Sequence, residues 1–325
     1  MSKLDIRETQ IAIKLVKDFF EKELSNKLNL IRVSAPLFVK ADTGLNDNLT
    51  GIEKPVSFNM RRYNQRLEIV QSLAKWKRMA LKRYDFKIGE GIYTDMDAIR
   101  PDEELSPIHS IYVDQWDWEK VISKEDRNEE YLKHTVRIIF DVFKKTEKML
   151  NDAYPFLKNK LPDEITFITT QELEDTYPYS SPEEREKLIA KEHKAVFLMK
   201  IGDSLNSGIP HDNRAPDYDD WKLNGDILFW NPVLEDVIEL SSMGIRVDKS
   251  SLKRQMKIAG RQKDMVLPYH KMLLDDKLPQ TIGGGIGQSR ICMFFLEKEH
   301  IGQVQASVWT EEIIKECEKN NIFLL

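Results

Sequence analysis

An α+β fold is what this sequence predicts, on three observations. Helical and strand segments are mixed along the chain without strict β-α-β alternation. Residues 225–230 and 237–241 flank a turn near Pro232-Val233 and read as an antiparallel hairpin. Apolar residues make up 41% of the 325, enough for a large core, and a 9% aromatic share argues against general disorder.

The elements follow in order. Residues 5–28 place Ile11, Leu15, Val16, Phe19, Phe20 and Leu24 on the stripe of an amphipathic helix. Asn26-Lys27-Leu28-Asn29 suits its C-terminus. Residues 30–39 read as one strand, with Pro36 marking an edge or an interruption. Residues 43–51 read as a mobile polar loop. Residues 67–70 are strand-like and lead into a helix opened by residues 71–78. Strands are expected over 92–100 and 111–121, joined by the polar loop 101–110. A long helix follows over 129–150, then a strand over 165–170. The helix over 181–194 takes Ser180 or Ser181 as cap and Pro182 at its first position, and residues 196–201 return to strand. No repeat, low-complexity tract or linker divides the chain, so residues 1–325 read as one domain.

Composition excludes several classes. Lys plus Arg total 49 against 54 acidic residues, a net charge of −5, which makes a large RNA a poor default partner. A local basic patch around Lys75-Trp76-Lys77-Arg78 and Lys82-Arg83 stays open. No apolar run approaches the roughly 20 residues that cross a bilayer, and the charged N-terminus lacks a signal peptide's apolar stretch. With only Cys292 and Cys317, neither a disulfide scaffold nor a cysteine zinc site is expected, and a cytoplasmic location fits best. The histidines at 109, 134, 193, 211, 270 and 300 show no ligand spacing.

Three features carry chemistry. Thr281-Ile282-Gly283-Gly284-Gly285-Ile286-Gly287-Gln288-Ser289-Arg290 is neither a Walker A loop nor a dinucleotide fingerprint. It is either a tight strand-to-helix turn or a close backbone approach to a ligand, with Arg290 aimed at a phosphate. In the hairpin, Asp226 is expected directly opposite Glu239. Paired acids there either face water or a basic residue, or hold Mg²⁺ with phosphates completing its shell. In the strand around Trp116, alternation puts Gln115, Asp117 and Glu119 on one face and Trp116 and Trp118 on the other. The polar row is a solvent face or the floor of a polar pocket. Arg100, Arg246 and the acidic run Asp217-Tyr218-Asp219-Asp220 stand nearby in the argument but are each compatible with a plain surface role.

Together these residues resemble the three signature motifs of class II aminoacyl-tRNA synthetases. The first helix running to Pro36 is similar to the dimerisation motif. Arg100-Pro101-Asp102 with Gln115, Asp117 and Glu119 is similar to the second, and residues 283–290 to the third. Gln71-Ser72-Leu73-Ala74-Lys75-Trp76-Lys77 resembles the substrate segment of the aspartyl and asparaginyl branch. The likeness is closer to the ammonia-dependent asparagine synthetases: residues 109–119, 72–78, 214–221, 239–246 and 281–290 resemble that family's strings, over nearly the whole chain. Asp102 and Ser289 depart from the synthetases but fit this family, and the segment at Lys222 looks shortened.

The resemblance implies a class II synthetase-like core, an antiparallel sheet flanked by helices, that makes L-asparagine from L-aspartate, ammonia and ATP through a β-aspartyl-adenylate. It implies ATP contacts at Arg100, Ile108, Ser110, Val113, Asp226, Glu239, Leu240, Gly283, Gly284, Gly285 and Arg290, the adenosine lying flat on the glycines. Glu239 and Asp226 would hold Mg²⁺. Aspartate would be held by Ser72, Lys77, Gln115, Asp117, Ser241, Ser242 and Arg246. Arg100 and Arg290 would act on the phosphates, and Asp47 or Asp219 would take the proton from ammonium. A homodimer is expected, with no nucleic acid and no membrane as partner. No glutamine-hydrolysing half is expected, so free ammonia would be the nitrogen donor. A tRNA-charging enzyme, a non-catalytic paralogue and an amino-acid-binding regulator are the competing readings.

Overall fold

The computed structural model describes residues 4–49 and 53–325. Its first helix, α1 (Ile6–Leu28), starts at a capping box: the Asp5 carboxylate accepts the Glu8 N–H at 2.8 Å, and Glu8 accepts the Asp5 N–H at 3.1 Å. Ala12, Val16, Phe20, Leu24 and Leu28 form its buried stripe. Asn29 then ends it in the left-handed conformation, φ 57°.

The single strand expected over 30–39 is two strands in two sheets. Strand β1 (Leu30–Arg32) joins the large sheet, and β2 (Phe38–Lys40) joins a small one with β3 (Ser57–Met60) and β4 (Gln65–Ile69), in the order β2-β4-β3. Pro36 has no N–H for either ladder, and the chain changes sheets around it. The described part of the 43–51 loop is packed, contrary to the expectation of a mobile segment. Asn46 donates to the Ile69 carbonyl at 3.1 Å and accepts the Gln71 N–H at 2.9 Å, while Leu45, Asn46 and Asp47 are buried. Thr50 and Gly51 lie outside the described residues.

The remaining elements are α2 (Ala74–Arg83), β5 (Gly91–Ile99), β6 (Tyr112–Val121), α3 (Glu129–Ala153), β7 (Thr166–Thr169), α4 (Thr170–Thr176), α5 (Pro182–His193), β8 (Ala195–Met199), β9 (Asp219–Asn231), β10 (Asp236–Arg246), α6 (Lys249–Ile258), α7 (Pro268–Leu274), β11 (Thr281–Gly287), α8 (Gln288–Phe295) and α9 (Glu311–Lys319). The large sheet runs β1-β5-β6-β11-β10-β9-β8-β7 and is antiparallel except for the parallel outer pairs β1/β5 and β7/β8. No helix among the described residues is long and apolar enough to cross a membrane.

One face of this sheet is apolar. Phe20 of α1 stacks on Trp116 at 5.0 Å, and Phe143 of α3 meets Phe20 and Phe229 edge-on. The Trp side of β6 is therefore core, as its alternation predicts, and the Gln115–Asp117–Glu119 side is left on the opposite face.

The β9–β10 hairpin forms, but not in the expected register. Asn231 closes against Asp236 around a four-residue turn, so Glu239 lies opposite Leu228. A bulge at Leu240 then places Asp226 opposite Ser242. The expected direct Asp226–Glu239 pair is thus replaced by a diagonal relation. The segment at Lys222 is not a loop: β9 runs through it, with a register shift between Asn224↔Gly244 and Asp219↔Arg246.

Helix α5 is capped as read from sequence: the Ser181 hydroxyl accepts the Glu184 N–H at 3.2 Å, Glu184 returns the bond, and Pro182 takes the first turn. Ser181→Ala should lower the unfolding free energy by about 1 kcal/mol. A urea midpoint equal to that of the unsubstituted protein would refute the cap's contribution.

Candidate active site

The polar face of the sheet opens into a cleft of about 410 Å³ between β6, β10, β11 and residues 212–218. Arg100, at the end of β5, and Arg290, in the first turn of α8, stand on its wall with Glu239. Ile108, Ser110, Val113 and Gln115 line it from the β6 side, and Leu240, Ser241 and Ser242 from β10. Arg290 is fixed by its own bond to the Glu239 carbonyl at 2.9 Å. Its neighbour Ser289 binds Asp114, through N–H at 3.1 Å and Oγ at 2.7 Å, which pins the start of α8.

Of the three consecutive glycines only Gly285 reaches the cleft. The glycines are required by protein atoms lying over them. A Cβ on Gly283 would land on the Glu119 carboxylate and 2.6 Å from the Trp118 carbonyl oxygen, and one on Gly285 would strike the Gln115 amide. A bare β11 leaves room for the side chains of β6 above it.

Beneath the cleft lies a layer of buried charge. The Arg246 guanidinium grips Glu119 through Nε at 3.0 Å and Nη2 at 2.7 Å, and its Nη1 binds Asp219. Burial works against its charge, but Asp219 and Glu119 outweigh it and raise its pKa. Lys77 binds Asp117 and donates to the Gly284 carbonyl at 3.0 Å; burial lowers its pKa against the pull of Asp117. Lys75 holds Asp217 at 2.8 Å, and His270 meets the same carboxylate at 2.9 Å. Burial opposes ionisation of Asp217, but Lys75 and His270 outweigh it and lower its pKa. Asp47 and Asp219 are both buried, and burial raises both carboxyls. Lys77, Asp117, Asp219, Arg246, Asp47, Gly283 and Gly284 therefore stand behind the cleft wall, not on it. Ser72 is also off the wall, accepting the Ala74 N–H at 3.1 Å where α2 begins.

Asp226 is buried and held by Arg214, which also donates to Ser242 Oγ at 3.2 Å. Burial pushes the Asp226 carboxyl up to about 8; the Arg214 guanidinium opposes that shift and the Glu239 carboxylate adds to it. Asp226 Oδ1 has no hydrogen-bond partner, while the Glu239 side chain is 40% exposed to the cleft. Among the described residues no three His, Cys, Asp or Glu side chains gather as a ready metal cage. Two carboxylates, one with an unmatched oxygen, nevertheless fit a hard cation that brings phosphate oxygens with it.

Among the residues of this wall that were not assigned a role from sequence are Arg214, Tyr218 and His109. Arg214 and Tyr218 lie in the string 214–221, and His109 follows Ser106 by three residues, as a short polar turn does. His109 Nδ1 is 2.8 Å from Ser106 Oγ. Burial, with help from Arg290 and Arg100, lowers its pKa from 6.5 to about 4. The folded protein therefore binds fewer protons here than the unfolded chain between those values, so stability from this group is complete above pH 6.5 and is lost as pH falls toward 4. His109→Gln should flatten the stability–pH curve over that window alone. Parallel curves for both proteins from pH 7 to pH 4.5 would contradict it.

A second cavity, of about 520 Å³, lies between α4, α5 and residues 205–210. Pro178, Pro182 and Ile209 line it, its Arg185 is already paired with Glu174, and none of the candidate residues reaches it.

Comparison with known proteins converges on the same region of function. A family model described as aspartate-ammonia ligase matches residues 7–321. An aspartate–ammonia ligase of Clostridium tetani (strain Massachusetts / E88) is 64% identical over all of this chain and 95% of its own. One of Fusobacterium nucleatum is 64% identical over all of this chain and 99% of its own. Among solved structures, Entamoeba histolytica asparaginyl-tRNA synthetase in complex with asparaginyl-adenylate matches with a TM-score of 0.63 at 15% identity, covering 92% of this chain and 66% of that one. The fold is that of a class II synthetase catalytic core.

Proposed function

The chain belongs to the aspartate–ammonia ligase family, and on that premise we propose that the cleft on the polar face of the sheet is where its reaction takes place. The enzyme joins L-aspartate and ammonia into L-asparagine at the expense of ATP. A side-chain carboxylate oxygen of aspartate attacks the α-phosphorus, the bond to the β,γ-phosphates breaks, and pyrophosphate leaves. Ammonia then attacks the carbonyl carbon of the β-aspartyl-adenylate, the bond to the AMP oxygen breaks, and the nitrogen sheds a proton.

The observation that supports this placement is the convergence of Arg100, Arg290 and Arg214 on one cleft beside a row of fixed polar groups. A carboxylate must approach a polyphosphate, two anions that repel. Guanidiniums already in place stabilise the charge that builds on phosphorus without reorganising. Ile108, Ser110, Val113, Leu240 and Gly285 would form the nucleoside end. Mg²⁺, held by Glu239 and Asp226, would further neutralise the phosphates when bound.

Arg246 and Lys77, expected to take the α-carboxylate of aspartate, stand behind the cleft wall paired with Glu119, Asp219 and Asp117, and would act by fixing the floor beneath aspartate. Gln115 would take the ammonium end, with Ser241 and Ser242 along the edge, while Ser72 and Asp117 stand off the wall. Asp219 and Asp47 are candidates for the base that deprotonates ammonium, since burial raises both carboxyls and so strengthens them as bases. A homodimer through α1 and the edge strand β1 fits the exposure of Ile11 at 65% and Ile31 at 61%. A reducing cytoplasm suits the two buried free cysteines.

The test is formation of AMP and asparagine from ATP, Mg²⁺ and aspartate, with ammonium or glutamine and without tRNA. Stoichiometric products with ammonium alone are expected. Pyrophosphate exchange with no asparagine would overturn the ligase reading. Asp219→Asn and Asp47→Asn then separate the two bases, as the variant that raises KM for ammonium without raising KM for ATP marks the group that receives it.

A further inference from the structure

Each carboxylate of the candidate cation pair is already met by an arginine of this chain. Arg214 binds Asp226, and Arg290 lies 3.8 Å from the Glu239 carboxylate. Arg290 and Arg214, the latter also 3.6 Å from the Asp212 carboxylate, thus offset negative charge at the place where a cation and a polyphosphate are proposed to sit. The two arginines are not equivalent. Arg290 belongs to a helix whose first turn is fastened to Asp114, and its Nη1 is bound to a backbone carbonyl. Arg214 stands on irregular backbone between β8 and β9, its Nε has no partner, and its side chain is 19% exposed at the cleft.

We propose that Arg214 is a resident counter-ion for Asp226 that exchanges partners: it occupies the carboxylate until nucleotide and divalent cation arrive together, then moves to a phosphate of the nucleotide. This rests on the reading of Asp226 and Glu239 as the cation ligands. A guanidinium on Asp226 keeps a bare cation out, and the carboxylate keeps Arg214 from binding metal-free nucleotide. Neither ligand alone satisfies both sets of charges, whereas the complex does. The exchange makes binding of the two ligands mutually dependent without any contact between distant sites.

Mn²⁺ serves as the probe, its free form counted by electron paramagnetic resonance in the absence of nucleotide. Binding of Mn²⁺ alone to the unsubstituted protein should be weak and should tighten strongly with ATP. Arg214→Gln should strengthen Mn²⁺ binding without nucleotide; if Arg214 leaves Asp226 free about one-tenth of the time, the gain is roughly tenfold. Arg214→Lys, which keeps a cation at the position, should restore the weak binding, and adding Asp226→Asn to Arg214→Gln should erase the gain. Equal Mn²⁺ affinity in the unsubstituted protein and Arg214→Gln, or Mn²⁺ binding that ATP does not affect, overturns the exchange. Failure of the underlying metal reading looks different: Asp226→Asn and Glu239→Gln would then leave Mn²⁺-ATP binding unchanged.

Discussion

Replacement of Arg246 by alanine is expected to cost about 3–5 kcal/mol of stability, the largest loss of any single substitution considered for this protein. The guanidinium is the shared partner of two buried carboxylates, Glu119 at 0% side-chain exposure and Asp219. Removing it strands both in a low-dielectric layer, with Lys77 and Arg214 too committed elsewhere to compensate. Out of the roughly 5–15 kcal/mol that holds a domain folded, such a loss shifts the urea midpoint far. Arg246→Lys should recover part of it, since an ammonium restores charge but cannot fork across Glu119 while reaching Asp219. An Arg246→Ala protein with an unchanged midpoint would mean that the buried ion layer is not what holds this face together.

Arg290→Ala should leave folding nearly intact, because its side chain is 22% exposed and its bonds are to a carbonyl at the cleft rim. The expected damage is to catalysis. Losing one fixed charge aimed at a developing oxyanion lowers kcat on the order of 10²–10³-fold. Aspartate-dependent pyrophosphate exchange reads the adenylation step separately from ammonia capture, so the loss should appear there in full. Near-normal exchange would place Arg290 outside the phosphate site.

How much of this was legible in the sequence depends on what kind of force decided each feature. Helix α1 could be read because Val16, Phe20, Leu24 and the Asn29 stop agree with the packing on Trp116, but the face is turned from the one expected, leaving Ile11 exposed and Leu15 and Phe19 half-buried. The division of residues 30–39 could not, since Pro36 marks a break but does not say that its two sides enter different sheets. The hairpin register failed for two local reasons: the turn takes four residues, 232–235, which sets Glu239 opposite Leu228, and the bulge at Leu240 then shifts Asp226 by one more, to Ser242. The glycine run was rightly singled out, yet the atoms that require it belong to Glu119 and Gln115, about 170 positions away in sequence. Buried charge was the least visible. Lys75, Lys77 and Arg78 read as a possible basic patch, whereas the structure buries all three under the sheet. Only tertiary pairing with Asp217 and Asp117, and Arg78's bonds to the Pro279 and Val247 carbonyls, makes that tolerable.

Strand β11 lies fourth in the eight-stranded order but is built from residues 281–287, later in the sequence than every other strand of that sheet. While the protein is being synthesised, β1-β5-β6 and β10-β9-β8-β7 must wait as two half-sheets, each with an open edge. Arg246 and Glu119 belong to different halves during that interval, so their charges remain solvated until the last strand slides between them. The cleft between the two halves therefore closes only when β11 inserts, and the exposed edges of β6 and β10 are where aggregation of the incomplete sheet would start.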